Sequence, residues 1–305
     1  MSGDFLVLEF LVFPGLLFTA LAGLLTSWVD RKVTAMVQMR VGPPLLQPLY
    51  DIRKLLIKET CVPEGGAIGL FLVAPLLGFA GVTLASMILW RTLFHTGATF
   101  VGDLIVLIYL LAMPALGVIL GAFASRNPLA SIGGSREIKL MIAYELPLVL
   151  AVLVPVIQAG SIRLGDLASV PPVAGSLSGV LALLVGIACM QAKLTIVPFD
   201  MPEAETELSG GALIEYSGPP LAVFKLTRAM MLFTLPVFLV ALFFGGLVTA
   251  PGWQGPLIGF AAWFVLVALT VVIRNTTPRV RTDQAVRFFW GPVSIVAALA
   301  VVLAW

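Results

Sequence analysis

The sequence predicts an all-α, polytopic membrane protein with about eight transmembrane helices. Sixty per cent of its 305 residues are apolar and only 11% are charged, against roughly 25% charged in an average soluble domain. Apolar runs approach or reach the ~20 residues that a helix needs to cross the hydrocarbon core. We therefore interpret 1–305 as a single integral membrane domain. The predicted spans are 5–28, 67–90, 101–123, 138–158, 177–197, 219–248, 256–273 and 288–305.

The distribution of Lys and Arg predicts the orientation of these spans. Basic residues concentrate in loop one (29–66), near 124–139 and in loop seven (274–287), whereas the alternate loops hold only Arg91 and Arg163. Because cytoplasmic loops carry the excess of positive charge, loops one, three, five and seven should face the cytoplasm and both termini the outside. We expect a multi-pass protein of the cytoplasmic (inner) membrane. A net charge of +2 gives no reason to expect a nucleic-acid partner.

Loop one contains a predicted amphipathic helix. Leu49, Ile52, Leu55 and Leu56 recur at helical spacing, the charged residues lie mostly off that face, and Pro48 suits a helix start. Such a helix lies on the bilayer surface or under a partner protein. The candidate docking residues of this loop are Arg40, Gln47, Asp51, Arg53, Lys54 and Lys58.

Loop five is the most informative segment. Residues 198–218 read PFDMPEAETELSGGALIEYSG and hold five carboxylates but no Lys or Arg. Ionisable groups at the edge of a membrane protein's interior usually mark an ion or proton path. Asp200 and Glu203 also fit a helix cap, and a solvated acidic face is the alternative for Glu203 and Glu207. The candidate path residues of this loop are Asp200, Glu203, Glu205, Glu207 and Glu215.

Two ionisable residues are predicted to lie inside the spans. Glu145 falls about six residues inside the fourth span, roughly 9 Å along the helix at 1.5 Å per residue, and Lys193 lies about as deep in the fifth. The pair is either a structural ion pair or a proton relay, because desolvation works against the charged form of both groups. Tyr144 adds a hydroxyl group beside Glu145.

No cofactor or metal is expected in this chain. Its two cysteines, Cys61 and Cys189, and its single histidine, His95, are too few to ligate an iron–sulfur cluster or a haem. The sequence also contains neither a P-loop nor a Gly-rich dinucleotide motif. Any redox centre should therefore belong to another subunit, and this chain should not be catalytic alone.

Three stretches resemble signature segments of one family. They are DRKVTAMVQMRVGPPLLQPLYDIRKLLIKE (30–59), SREIKLMIAYELPL (135–148) and PFDMPEAETEL…EYSGPPLAVFKL (198–226). The family is the membrane subunit that docks the peripheral arm of respiratory complex I, NADH–quinone oxidoreductase, in which this subunit is designated H. Its counterpart occurs in energy-converting, membrane-bound nickel–iron hydrogenases. The resemblance covers nearly the whole chain.

The resemblance implies a role that depends on partners. The cytoplasmic loops would dock hydrogenase-like small and large subunits, which would carry the iron–sulfur clusters and a nickel–iron site. The acids would begin a chain of ionisable groups that leads to antiporter-like membrane subunits in the same bilayer. Arg40 and Arg136 would contact acids of loop five or of the docked subunits, and Arg228, Arg279 and Arg281 are further candidates for such contacts.

Departures from the complex I pattern favour the hydrogenase branch. The stretch RVGPPLLQP (40–48) is more compact, Lys193 stands where that family has an acid, Ile196 where it has an arginine, and Arg228 where it has an acid. The alternative is the corresponding membrane subunit of complex I, with a quinone chamber. A stand-alone secondary transporter is the alternative of another class, disfavoured because no clear internal repeat is visible and the charges cluster on the cytoplasmic side.

Single cysteines test the predicted orientation. In a Cys61→Ser background, Arg53→Cys and Ser209→Cys should react with an impermeant thiol reagent only from the cytoplasmic face. A docked peripheral arm should protect both positions, so labelling should rise once the arm is removed. Labelling from the outer face alone would refute the orientation, and equal labelling with and without the arm would refute the docking.

Overall fold

The structure, a computed structural model, describes residues 3–97, 99–250 and 252–305. For residues 3–6, 205 and 206 it describes the backbone alone. This part of the chain contains helices and turns but no strand. A π-helical turn, Phe289–Val293, joins the last two α-helices. The α-helices are α1 (Gly3–Leu11), α2 (Leu16–Val37), α3 (Gln47–Ile57), α4 (Ile68–Phe94), α5 (Asp103–Leu110), α6 (Met113–Ala124), α7 (Pro128–Ala159), α8 (Leu164–Ser169), α9 (Leu177–Lys193), α10 (Glu205–Leu208), α11 (Gly218–Phe243), α12 (Gly245–Val248), α13 (Gln254–Thr276), α14 (Thr282–Phe288) and α15 (Ser294–Ala304).

The all-α polytopic architecture is confirmed. Seven described segments are long and apolar enough to cross a membrane: Val7–Val37, α4, Asp103–Ala124, α7, α11, α13 and Thr282–Ala304. The one remaining predicted span, 177–197, corresponds to α9, an apolar helix of 17 residues. At 1.5 Å per residue it measures about 25 Å, which is near the lower limit for a span.

Several predicted spans are interrupted. The first is divided between α1 and α2 around Pro14, and the third between α5 and α6 just before Pro114. Proline lacks the backbone N–H that a continuous helix needs and is tolerated in a first turn. The long run 219–248 also divides, since α11 ends at Phe243 and the short α12 follows. The predicted number of spans therefore exceeds the number of single, unbroken helices that are long enough to cross a membrane.

Helix α11 lies at the centre of the bundle, where nearly all of its side chains are buried. It contacts α2, α3, α4 and α13. Glycines allow the close approaches: a Cβ atom at Gly23 of α2 would lie 2.7 Å from the Ala229 carbonyl of α11, and one at Gly117 of α6 would lie 2.7 Å from the Ala74 carbonyl of α4. Small residues serve this purpose in membrane helix packing.

Loop five, together with the residues that connect it to α9 (194–217), folds back over the end of the bundle at which α9 ends and α11 begins. A Cβ atom at Gly133 in α7 would lie 2.4 Å from the Ala212 nitrogen, so the loop rests directly on that helix. Its far end is fixed by Tyr216, whose hydroxyl donates to the Phe71 carbonyl of α4 at 2.8 Å and whose ring stacks on Phe71 at 4.0 Å. Burial raises the pKa of the Tyr216 hydroxyl, which keeps it a donor.

Candidate functional site

Three arginines hold the carboxylates of loop five. Nε and Nη2 of Arg279 donate to both oxygens of Asp200 at 2.8 and 2.5 Å. The other two pairs are Arg228–Glu203 at 2.5 Å and Arg136–Glu207 at 2.7 Å. The arginines come from loop seven, α11 and α7 respectively, so the acidic loop is fixed from three directions.

The two remaining acids of loop five are Glu205 and Glu215. Glu215 accepts a hydrogen bond from Asn127 Nδ2 at 2.5 Å, and Asn127 also caps α7 through its contact with the Leu129 nitrogen. The side chain of Glu205 lies outside the described residues. The capping alternative for Asp200 and Glu203 is wrong: α10 begins later, and its N-cap residue makes no side-chain bond. Their arginine partners explain both acids instead.

A charged cavity of about 440 Å³ opens beside loop five, and we call it the mouth cavity. A further ion pair, Arg274–Asp30 at 2.6 Å, joins α13 to α2 in its wall. Half of its sixteen lining residues are charged. These are Asp30, Arg31, Asp200, Glu203, Lys225, Arg228, Arg274 and Arg279.

A second cavity of about 340 Å³, the inner cavity, lies behind loop five. It contains two buried ionisable groups, Glu137 at 2% and Lys193 at 7% exposure. Within the described residues, neither Glu137 Oε2 nor Lys193 Nζ has a hydrogen-bond partner. Buried charges are normally paired, so these two groups are the least compensated charges of the site.

Sequence reasoning missed Glu137. The apolar run of the fourth span begins at 138, whereas α7 begins at Pro128, ten residues earlier. Glu137 therefore lies within a packed part of the helix and not in a loop. Asn127 followed by Pro128 is a typical N-cap and N1 sequence, and that signal could have placed the helix start correctly.

The predicted path residues of α7 and α9 lie near one another without an ion pair. Lys193 Nζ lies 5.4 Å from the centre of the Tyr144 ring, a cation–π distance. Glu145 is half-buried and within electrostatic range of Lys193, but the described side chains form no Glu145–Lys193 ion pair. Adjacent helical residues point about 100° apart, so Tyr144 is fully buried in the core while Glu145, on a neighbouring face of α7, is half-buried.

The predicted amphipathic helix of loop one is α3. Asp51 accepts hydrogen bonds from Arg31 at 2.6 Å and from Gln47 at 3.1 Å. Burial raises the pKa of Asp51, but these bonds and the Arg31 charge outweigh it and leave the pKa below its usual value. The contact therefore stabilises the loop above that value and is lost as the pH falls through the lowered pKa.

The other candidate docking residues do not converge on loop five. All are exposed and, within the described part of the chain, form no ion pair. They remain available to lipid or to a partner. They are Arg40, Arg53, Lys54, Lys58 and Arg281.

Comparison with known proteins identifies the family. The model of a family described as NADH dehydrogenase matches residues 9–305. The chain belongs to the NADH dehydrogenase family. The family-level expectation from the three sequence stretches is thereby confirmed, while the hydrogenase branch stays a prediction.

Members of the NADH dehydrogenase family from several bacteria are similar over most of their length. They are the NADH-quinone oxidoreductase subunits designated H. That of Geobacillus kaustophilus is 37% identical over 296 residues, covering 90% of this chain and 88% of the relative. That of Brevibacillus brevis is 35% identical, covering 97% and 92%. That of Dehalococcoides mccartyi is 32% identical, covering 90% and 79%.

The fold of this NADH dehydrogenase family member is also found in a solved structure. It is similar to a chain in the structure of the membrane-bound sulfane sulfur reductase, an archaeal respiratory membrane complex, with a TM-score of 0.83. The identity is 24%, and the match covers 95% of this chain and 97% of the other. At this identity the likeness supports the fold alone.

Removing Arg279 tests how loop five is held. Arg279→Ala deletes both bonds to Asp200, whose side chain is only 16% exposed, and we expect a loss of about 2 kcal/mol in local stability. Loop five should then open more often and be cleaved faster in limited proteolysis. Arg281→Ala, at an exposed arginine without an ion pair in the described structure, is the matched control. Equal cleavage of the two variants would contradict this role of Arg279.

Proposed function

We propose that this chain couples electron transfer in a docked peripheral arm to proton translocation in the membrane. The observation that carries the proposal is the inner cavity, in which buried Glu137 and Lys193 have no hydrogen-bond partner for Oε2 and Nζ within the described residues. Ionisable groups in a membrane interior are costly, and they commonly serve ion or proton paths. A purely structural acid and base would be expected to pair with each other or with nearby groups.

The path would begin at the cytoplasmic side. Water in the mouth cavity reaches Glu203, which also lines the inner cavity beside Glu137 and Lys193. Beyond Lys193 lies a void of about 10 Å³ with apolar walls, too small for more than about one water. Glu145, half-buried on the other side of α7 and within electrostatic range of Lys193, would lead the path sideways to antiporter-like subunits.

The cytoplasmic loops would form the docking surface. The exposed basic residues of loop one and Arg281 offer positive charge, and the segment after α2 exposes two apolar side chains, Met39 at 95% and Val41 at 98%. Apolar side chains that project so far from the molecule are suited to insertion into a partner. The partners would be small and large subunits that carry iron–sulfur clusters and the site of electron transfer.

We favour the hydrogenase branch, with a nickel–iron site in the large subunit. The support is the mouth cavity, half of whose lining residues are charged. A quinone has a ring with two carbonyl oxygens on a long apolar tail, and sites for such ligands are mostly apolar with a few polar groups. The charged lining suits water, protons and an acidic partner segment better.

The second candidate is a quinone-reducing complex. The curated relatives are membrane subunits of NADH-quinone oxidoreductases at 32–37% identity. In addition, an apolar groove of about 620 Å³ lies between α2, α4, α11 and α13, and its lining includes Trp28, Trp90 and Trp263. That groove borders the same three helices, α2, α11 and α13, as the mouth cavity, and could hold an isoprenoid tail.

The composition of the purified complex tests the branch. A complex isolated through a tag on this chain should contain nickel and iron and should evolve or oxidise hydrogen. Measured nickel at a stoichiometric level, with no quinone reduction, would support the hydrogenase branch. Quinone reduction that is sensitive to a quinone-site inhibitor, in a complex free of nickel, would establish the second candidate.

Charge-removing variants test the coupling role. In reconstituted vesicles, Glu137→Gln and Glu145→Gln should assemble, because neither buries a new charge, but should strongly reduce proton uptake per electron. Lys193→Met should also assemble, since Lys193 forms no ion pair among the described residues whose loss would strand a carboxylate. Asp283→Asn, an exposed acid of α14, removes one charge as a control. Normal uptake per electron in Glu137→Gln would exclude this residue from the path.

A further inference from the structure

Arg228 and Glu203 lie between the mouth cavity and the inner cavity. Both side chains line both cavities, as do Leu194, Thr195 and Lys225. The cavities are therefore separated along this stretch by a wall one side chain thick. The contents of that wall decide whether water in the mouth cavity reaches Glu137.

The guanidinium of Arg228 closes this wall through two contacts. Its Nη1 donates to Glu203 Oε2 at 2.5 Å, and its Nη2 donates to the Thr195 carbonyl at 2.6 Å. One side chain of α11 thus joins loop five to the end of α9. Because arginine stays protonated at any physiological pH, Arg228 keeps its charge whichever carboxylate it contacts.

The Thr195 contact holds a strained residue. Its φ of +49° lies in the left-handed region, which is unusual for a β-branched residue. Conformations of this kind persist only where surrounding contacts hold them. The Arg228 contact is one of those that hold Thr195, which directly follows the end of α9, in this conformation.

A second carboxylate is available to the same guanidinium. Glu137 lies on the inner side of the wall and within electrostatic range of Arg228. The other cavity-lining acids already have partners, since Asp30 is held by Arg274 and Asp200 by Arg279. Of the described acids that line the two cavities, Glu137 alone lacks a basic partner. Arg228 therefore lies between Glu203, with which it is paired, and Glu137, which has no basic partner among the described residues.

We propose that Arg228 is a positioning residue that closes the path between the two cavities and opens it by exchanging Glu203 for Glu137. A proton taken from water in the mouth cavity neutralises the Glu203 carboxylate and releases the guanidinium. Movement of the guanidinium to Glu137 removes both contacts in the wall and joins the cavities. The other charged groups that line the two cavities are Lys225 and Lys193, and on the mouth side Arg31 and the pairs Asp30–Arg274 and Asp200–Arg279. The purpose of the exchange rests on the proposed function, but the closure does not.

Cysteine accessibility in the assembled complex tests the closure. In a Cys61→Ser, Cys189→Ala background, Ala115→Cys reports on the inner cavity alone and Ser27→Cys on the mouth cavity alone. The probe is the cationic reagent 2-aminoethyl methanethiosulfonate. Arg228→Gln and Glu203→Gln should each speed modification of Ala115→Cys by at least ~10-fold. This corresponds to a loss of about 1.4 kcal/mol in the free energy that keeps the wall closed. Modification of Ser27→Cys should stay nearly constant.

The two variants separate opening from electrostatics. Removing the arginine charge attracts a cationic reagent more strongly, whereas removing the glutamate charge attracts it less, so an increase in both variants requires a physical opening. A rise in Arg228→Gln with a fall in Glu203→Gln would overturn the proposal. Glu203→Gln keeps the side-chain shape and gives the decisive rate if Arg228→Gln fails to assemble.

Arg136→Gln is the matched control for loop five as a whole. It breaks the Arg136–Glu207 pair, which also holds the loop but does not line the inner cavity. Modification of Ala115→Cys should stay at the parental rate, and an equal increase would overturn the role of Arg228. Proton uptake per electron is measured in parallel. Faster modification with unchanged uptake would uphold the closure and refute the proposed coupling function, so the two failures are distinguishable.

Discussion

The need to compensate carboxylates beside a bilayer governs this structure. Five acids lie in one short segment, 198–218, that itself contains no basic residue, so their counter-charges must come from elsewhere in the fold. Loop seven, α7 and α11 each supply one arginine. These contacts fix the position of loop five, and residues of that loop line both the mouth cavity and the inner cavity.

Paired and unpaired charges have different roles here. The arginine–carboxylate pairs of loop five are partly exposed and each joins two separate elements, which is what a structural contact requires. Glu137 and Lys193 lie deeper and lack such partners among the described residues. Because leaving a buried charge unpaired costs free energy, two such groups in one cavity are better explained by proton exchange than by packing.

Composition and charge distribution predicted the membrane class, most spans and α3, because those depend on patterns within about twenty neighbouring residues. The partners of Asp200, Glu203 and Glu207 were out of reach, since they lie 79, 25 and 71 positions away in the chain. Glu137 was missed for a local reason: the apolar run starts after it, while α7 starts at Pro128. Tyr144 was placed near the right groups, although its ring and not its hydroxyl makes the contact with Lys193.

The inner cavity also bears on which ion can be carried. Its lining contains three cationic side chains, Lys193, Lys225 and Arg228, and two carboxylates, Glu137 and Glu203. A metal cation must exchange its hydration shell for a cage of oxygen ligands, and no group of three or more His, Cys, Asp or Glu that could form one exists among the described residues. A proton needs no cage, since it is passed along one bond at a time. The lack of such a cage would thus disfavour sodium, whereas a proton could still pass between Glu203, Glu137 and Lys193 by hopping.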